Sequence, residues 1–446
     1  MKKISHTFLI MITMMTVVFV SFLPEPMNVN AEPADIQAES AILVDFETGK
    51  ILYEKNADVA LPPASMTKMM TEYLVLEAIK EGQISWDTTT EISDYAYDIS
   101  ANDNFSGVGL RKDHPYTVRE LYDAMAIYSD NATTIALAEL IAGSEGEFVK
   151  MMNEKAEEMG LPDYQFVNST GLSNRDLGDD YPEGTDPNDD NLLSARSAAI
   201  LAYHLVKDFP EILEHSSVKQ KEFEGEMMTN WNWMLPDMPG YLAQYGYEGV
   251  DGLKTGYTDL AGYCFTGTAE RSNQRLISVV MKTESIESRF LETQKLLDYG
   301  FSQFEKAEIF PAGYQVEEQA VIPVTKGKED EVEIETKEPV ELMIKIGEQD
   351  QYQGVIELDE EMLTEKGELA APIEKGTQVG VMKIHYTGQE EYGYLSEDLE
   401  KQAAMVPVIT KDDVEKANWF VLLFRTIGEF FADIFSSITN AIKSLF

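Results

Sequence analysis

Apolar and polar positions follow one another along this chain in several distinct textures. After Lys2 and Lys3 comes an uncharged, mostly apolar run from Phe8 to Leu23, and Val29-Asn-Ala31 ends it in small residues. This pattern predicts a secretory signal over 1–31, cleaved after Ala31, so that the mature chain works outside the cytoplasm. The run is short for a membrane span, which takes about 20 residues; an uncleaved anchor is the alternative. From 35 to 305, strand and helix signals alternate. Ala41-Ile-Leu-Val-Asp-Phe46 and Ile51-Leu-Tyr53 flank Glu47-Thr-Gly-Lys50 and read as a hairpin with Gly49 at the turn. Helices are predicted from Ser65 to Lys80 (Met69, Tyr73, Leu76, Ile79), from Thr117 to Asp130 and from Phe148 to Met159. Thr117 and Glu120 have the spacing of a capping box. Strands return over 252–270 and 275–282, and a helix closes the segment over 284–301. Strands at both ends with helices between them predict an α+β layer around an antiparallel sheet. Residues 171–192, rich in Asp, Asn, Gly and Pro, read as a long surface loop.

From 307 to 400 the texture becomes β-rich. The runs Ala320–Val324, Val332–Ile334, Val340–Ile344, Val355–Leu358 and Gln378–Ile384 are separated by charged turns. This predicts a small all-β domain, a sandwich, with no catalytic cluster. Residues 401–418 read as a linker. From 419 to 446, Phe420, Leu423, Phe424, Ile427, Phe430, Phe431 and Ile434 recur at helical spacing, and Arg425, Glu429, Asp433 and Lys443 interrupt them. A spanning helix would bury those charges. An amphipathic helix lying in the membrane interface keeps them wet; packing on the protein body is the alternative.

Composition narrows the partners. The chain has 446 residues, 44% of them hydrophobic, and a formal net charge of −44. Length and apolar content suit folded domains. The negative charge excludes nucleic acid as a partner, and it means that membrane binding by the tail rests on apolar burial. The single cysteine, Cys264, lies in an apolar strand-like stretch and reads as a buried, inert thiol.

Candidate chemistry sits in short motifs. In Pro63-Ala-Ser65-Met-Thr-Lys68, the lysine stands one helical turn from the serine. A serine hydroxyl needs a base, and a lysine made neutral by burial and a nearby cation can serve. N–H groups at the helix start point at developing negative charge. Ser129-Asp-Asn131 ends one helix and opens the next, offering a hydroxyl for proton relay and an amide for substrate. Lys254-Thr255-Gly256 reads as an edge strand, with a charge and a hydroxyl for a carboxylate and a small residue for close approach. Each motif alone has an ordinary reading: Ser216-Ser-Val-Lys219 and Ser100-Ala-Asn102 repeat two of the patterns by accident. Their joint order is the trio of penicillin-binding proteins and class A β-lactamases.

Pro63–Thr71, Phe166-Val-Asn-Ser-Thr-Gly-Leu172, Asp251–Thr258 and Leu296-Leu-Asp-Tyr-Gly-Phe301 resemble the D-alanyl-D-alanine carboxypeptidases, the low-molecular-mass penicillin-binding proteins. The order of signal, catalytic domain, β domain and amphipathic tail resembles them too. The resemblance implies a β-lactamase/transpeptidase-like catalytic domain that removes the terminal D-alanine from peptidoglycan pentapeptide stems at the outer face of the cytoplasmic membrane. It implies Ser65 as the acylated nucleophile, Lys68 as its base and Ser129 as the relay to the leaving amine. Asn131 would position the substrate, Lys254, Thr255 and Gly256 would face its carboxylate, and the N–H groups of Ser65 and Tyr257 would form the oxyanion hole. Arg289 would assist the carboxylate site, a surface charge being the alternative. β-Lactams would acylate Ser65; no metal or organic cofactor is implied. Where relatives carry Ala-Arg-Asp, this chain has Ala195-Arg196-Ser197, so a local salt bridge is expected to be missing. The rival readings are a β-lactamase, a DD-endopeptidase or transpeptidase on the same scaffold, and a non-catalytic, membrane-tethered wall protein.

Overall fold

The computed structural model describes residues 35–389, 391–423 and 427. The first part is built on a 5-stranded antiparallel sheet of β1 (Ser40–Asp45), β2 (Ile51–Lys55), β3 (Val250–Thr258), β4 (Gly262–Arg271) and β5 (Gln274–Thr283), in the order β2-β1-β5-β4-β3. The chain enters and leaves this sheet from its two ends, and the segment between is mainly helices and loops with three short two-stranded ribbons. β1 is buried along its whole length, the burial expected when both faces of a strand are covered. Gly49 turns the first hairpin at φ +71.

The helices α1 (Lys68–Lys80), α2 (Val118–Tyr128), α3 (Asn131–Ala142), α4 (Glu145–Glu158) and α6 (Ile286–Gln303) fall on predicted segments, and α5 (Ala195–Asp208) follows the long loop. α2 starts at the predicted capping box, with the Thr117 side chain accepting from the Glu120 N–H and the Glu120 carboxylate accepting from the Thr117 N–H at 2.8 Å. α1 departs from a one-faced helix. Every residue from Lys68 to Leu76 is buried, so it is the central helix of the core and carries Lys68 and Glu72 inside with it. The 171–192 segment is a loop, as its composition predicts, but it is folded back on the protein by buried amides. Asn174 donates to the Thr185 hydroxyl and the Asp186 carbonyl at 2.9 Å, and Asn191 donates to Asn168 at 2.9 Å.

The β-rich part pairs β6 (Phe304–Phe310) with β9 (Val340–Lys345) in one 2-stranded sheet. Its 6-stranded sheet contains β7 (Val321–Thr325), β8 (Glu331–Thr336), β10 (Tyr352–Leu358), β11 (Leu369–Ala370), β12 (Gln378–Tyr386) and β13 (Met405–Thr410), ordered β10-β12-β13-β8-β7-β11. Phe310, Leu342 and Ile344 from the small sheet share a core with Ile334, Val379, Met382 and Val408 from the large one. The linker expected over 401–418 is corrected here. Its first residues end the helix α7 (Glu397–Ala404), and β13 is an interior strand of the large sheet. Pro407 speaks against an interior strand in the sequence. It lies where the neighbouring strand β8 ends, and its carbonyl still accepts from the Lys337 N–H at 2.9 Å.

The two parts touch at the first hairpin. Lys50 is buried, pairs with Glu391 at 3.0 Å and donates to the Tyr352 hydroxyl at 3.1 Å. At the C-terminal end, Asn418 caps a new helix by accepting from the Val421 N–H at 3.0 Å, and Trp419, Phe420, Leu423 and Ile427 are exposed. The signal reading of 1–31 and most of the 419–446 helix lie outside the described residues. Among those described, no helix is long and apolar enough to cross a membrane.

Candidate active site

Ser65 lies in a 3-10 turn, Ala64–Thr67, that runs directly into α1. Lys68 opens that helix, and its Nζ is 3.0 Å from Ser65 Oγ, 2.8 Å from Asn131 Oδ1 and 2.9 Å from the Thr170 carbonyl. The two latter oxygens can only accept. Asn131 is oriented by its own Nδ2, which donates to the Ser106 carbonyl at 3.1 Å. A neutral amine has two N–H bonds and one lone pair. In the neutral form, both N–H bonds would go to Asn131 and Thr170, which would leave the lone pair for the Ser65 hydroxyl. The electrostatics agree. Burial holds the Lys68 amine well below the ordinary lysine range, and the Lys254 charge adds to that, against Asp130, Glu72 and Glu145.

Ser129 ends α2 in the left-handed region at φ +61, which turns the chain so that Asp130 caps α3 and Asn131 begins it. Lys254 on β3 donates to Ser129 Oγ at 2.8 Å. With one lone pair so occupied, the Ser129 O–H is free to point into the cleft. Lys254 is buried and held below the usual lysine value by that burial.

β3 is the sheet edge, as the sequence predicts, and Gly256 sets how closely it approaches the serine turn. A Cβ built there would lie 2.4 Å from the Pro63 carbonyl and 3.2 Å from the N atoms of Ser65 and Met66. Only glycine permits this approach. Gly171 does the same from the loop side: its Cβ would fall 1.9 Å from the Ala64 carbonyl.

A cleft of about 220 Å³ opens over these groups, lined by Ser65, Ser129, Asn131, Thr255, Gly256, Tyr257 and Arg289. Phe105, Leu172, Trp231, Tyr263 and Ile286 supply apolar walls. Tyr257 is half-exposed and stacks on Tyr263 with ring centroids 4.4 Å apart. Arg289, on α6, is buried rather than on the surface. It donates to the Gly256 carbonyl at 3.3 Å, and its Nε has no hydrogen-bond partner. Burial lowers its pKa to about 10. An unpartnered guanidinium donor beside Lys254 and Thr255 suits a carboxylate. A larger cleft, about 510 Å³, lies between Glu47, Lys306, Glu341 and Gln402 and holds none of this chemistry.

All the residues singled out by motif therefore gather in one place. Sequence reading missed the Thr170 and Ser106 carbonyls, whose part is played by backbone, and Glu72, whose only signal was its position one turn after Lys68. The salt bridge expected to be missing at Ser197 is replaced: Arg196 pairs with Asp58 at 2.5 Å and Glu54 at 2.7 Å. Cys264 is buried, and burial pushes its thiol up to about 11.

A helical layer on an antiparallel sheet, with a serine, two buried lysines and a carboxylate-binding edge strand at their junction, defines a serine acyl-transfer enzyme of the penicillin-binding type. Residues 27–285 match the D-alanyl-D-alanine carboxypeptidase family, and residues 304–416 match the C-terminal domain of penicillin-binding protein 5. D-alanyl-D-alanine carboxypeptidase DacF of Bacillus subtilis (strain 168) is 34% identical over 429 residues, 96% of this chain and 99% of that one. A peptidoglycan synthesis regulatory factor (PBP3) from Streptococcus pneumoniae superposes with a TM-score of 0.66 at 36% identity, covering 85% of this chain and 99% of that one. Penicillin-binding protein D2 from Listeria monocytogenes, in a cefotaxime-bound form, has a TM-score of 0.50 at 33% identity over 60% of this chain and 98% of that one. The chain belongs to the D-alanyl-D-alanine carboxypeptidase family. It is a serine-type D-Ala-D-Ala carboxypeptidase.

Proposed function

We propose that Ser65 carries the acyl group and that Lys68, neutral when the substrate arrives, takes its proton. Oγ bonds to the carbonyl carbon between the two D-alanines, and the N–H groups of Ser65 and Tyr257 hold the resulting oxyanion. Ser129 passes a proton to the departing amine as the C–N bond breaks, and water then releases the acyl group from Ser65. Asn131 holds the substrate amide. Lys254, Thr255 and Arg289 hold the terminal carboxylate, with Gly256 letting the edge strand close on the serine turn. The observation that carries this reading is the position of the Lys68 amine, 3.0 Å from Ser65 Oγ and within 2.9 Å of two oxygens, Asn131 Oδ1 and the Thr170 carbonyl, that can take both hydrogens of its neutral form. The substrate is the pentapeptide stem of peptidoglycan, and β-lactams acylate the same serine.

The protein acts outside the cytoplasm after removal of residues 1–31. It is held to the outer face of the membrane by the 419–446 helix, a reading supported by the exposed Trp419, Phe420 and Leu423 at the start of that helix. The catalytic part spans 35–305 and the β domain follows it. Ser65→Ala is expected to abolish both D-alanine release from a pentapeptide and labelling by fluorescent penicillin while the circular dichroism spectrum stays native. Full activity in that variant would refute the assignment.

A further inference from the structure

Trp231 lines the cleft and has no part in the steps above. It stands between the ribbon of Gln220–Phe223 and Glu226–Thr229 and the edge strand β3. The asparagines on either side of it are buried and hydrogen-bonded. Asn230 Nδ2 donates to the Ser216 carbonyl at 3.0 Å and to the Val218 carbonyl at 2.8 Å, and its Oδ1 accepts from the Asn232 N–H at 2.8 Å. Asn232 Oδ1 accepts from the Met234 N–H at 3.1 Å, and its Nδ2 donates to the Gly252 carbonyl at 3.3 Å. These bonds fix the backbone from which Trp231 reaches the end of α2. There its indole Nε1 donates to the Tyr128 carbonyl at 3.0 Å, and its ring lies against the Tyr128 ring with centroids 6.0 Å apart.

That carbonyl belongs to the peptide unit that joins Tyr128 to Ser129. It is one of the last four carbonyls of α2, which find no partner within the helix. Ser129 follows at φ +61, a left-handed conformation that any residue with a Cβ resists. The corner is held from three sides. Trp231 binds the carbonyl before Ser129, the Asp130 N–H after it donates to the Ala124 carbonyl at 3.2 Å, and Lys254 donates to its Oγ at 2.8 Å. We propose that Trp231 is a positioning residue for the proton relay: its indole N–H pins the peptide before Ser129, so that the Ser129 hydroxyl stays where the departing amine will be. Without that N–H the Tyr128 carbonyl has only cleft water to accept from. The peptide plane that sets the Ser129 φ can then rock, and Lys254 alone locates the oxygen.

This inference rests on the relay role given above to Ser129, and the leaving group separates the two. An amine departs only with a proton, whereas a thiolate takes the electron pair of the C–S bond and needs none. In the full-length protein, Trp231→Phe and Ser129→Ala, kcat/KM is measured for D-alanine release from a pentapeptide and for a peptide thioester whose thiol leaving group carries a carboxylate. Trp231→Phe keeps an aromatic wall and removes the N–H. It should lose about ten-fold on the pentapeptide, less than the roughly 100-fold that a full ångström of misplacement costs, and stay within about two-fold on the thioester. Ser129→Ala should lose at least about 100-fold on the pentapeptide and far less on the thioester. An equal loss on both substrates in Trp231→Phe, or no loss on the pentapeptide, overturns the proposal while leaving the relay in place. Should Ser129→Ala show no preference between the substrates, the relay role falls and this inference falls with it. Should Trp231→Phe fail to fold, the same two assays are run on protein with benzothienylalanine in place of Trp231, which has the indole's shape and no N–H. There too a pentapeptide-selective loss is expected, and parental rates on the pentapeptide overturn the proposal.

Discussion

At the scale of single residues, the site is a problem in counting hydrogens. Lys68 can deprotonate Ser65 only when it has a lone pair to offer, and burial together with Lys254 makes that state accessible well below an ordinary lysine pKa. Protonation of Lys68 must therefore stop acylation as pH falls, while loss of the Lys254 proton must stop it as pH rises. Both lysines are shifted down, so the bell-shaped profile should have its alkaline limb below 10.5, the unperturbed lysine value. A limb at or above that value in a penicillin acylation series would contradict the assignment of Lys254. Lys68→Ala should lower acylation at least about 100-fold, the lower end of what a positioned base contributes, with penicillin still able to bind reversibly. Arg289→Ala should act chiefly on substrate carboxylate binding, raising KM about ten-fold with a smaller effect on kcat. A change confined to kcat would show that Arg289 does not hold the ground-state carboxylate.

At the scale of elements, the site depends on how closely β3 approaches the serine turn. Gly256 is the contact, and any side chain there meets the Pro63 carbonyl. Gly256→Ala should push the strand off the turn by about an ångström and cost roughly 100-fold in acylation, with melting temperature little changed because β3 is an edge strand. Acylation at parental rates in a folded Gly256→Ala protein would show that this close approach is not needed. Much of this level was legible in the sequence. The hairpin with Gly49, the Thr117 capping box and the edge character of β3 follow from local spacing. What misled was local as well. β13 reads as part of a linker, because a strand's place inside a sheet depends on partners far away in sequence. The burial of α1 on all sides was equally hidden, since Glu72 in its middle suggests a wet face until the surrounding helices are in place.

For the whole molecule, the catalytic part and the β-rich part meet through Lys50, Glu391 and Tyr352. The described residues at the far end present Trp419, Phe420 and Leu423 to solvent. Among the described residues neither core extends beyond Val414, so the protein truncated at residue 418 is expected to be soluble and to keep its full rate of D-alanine release. Retention of the truncated form in the membrane fraction would show that the tail is not the anchor. The motif order, the sheet drawn from both ends of the segment and the chemistry of serine, lysine and carboxylate recognition were determined by the sequence itself, because helix period, strand alternation and turn residues act over short range. Only the tertiary structure decided which oxygens surround the Lys68 amine, that Arg289 is buried with an unpaired nitrogen, and that Glu72 is buried. Those facts come from the burial and field created when distant segments pack together, and burial is what turns an ordinary lysine or glutamate into one with a shifted proton affinity.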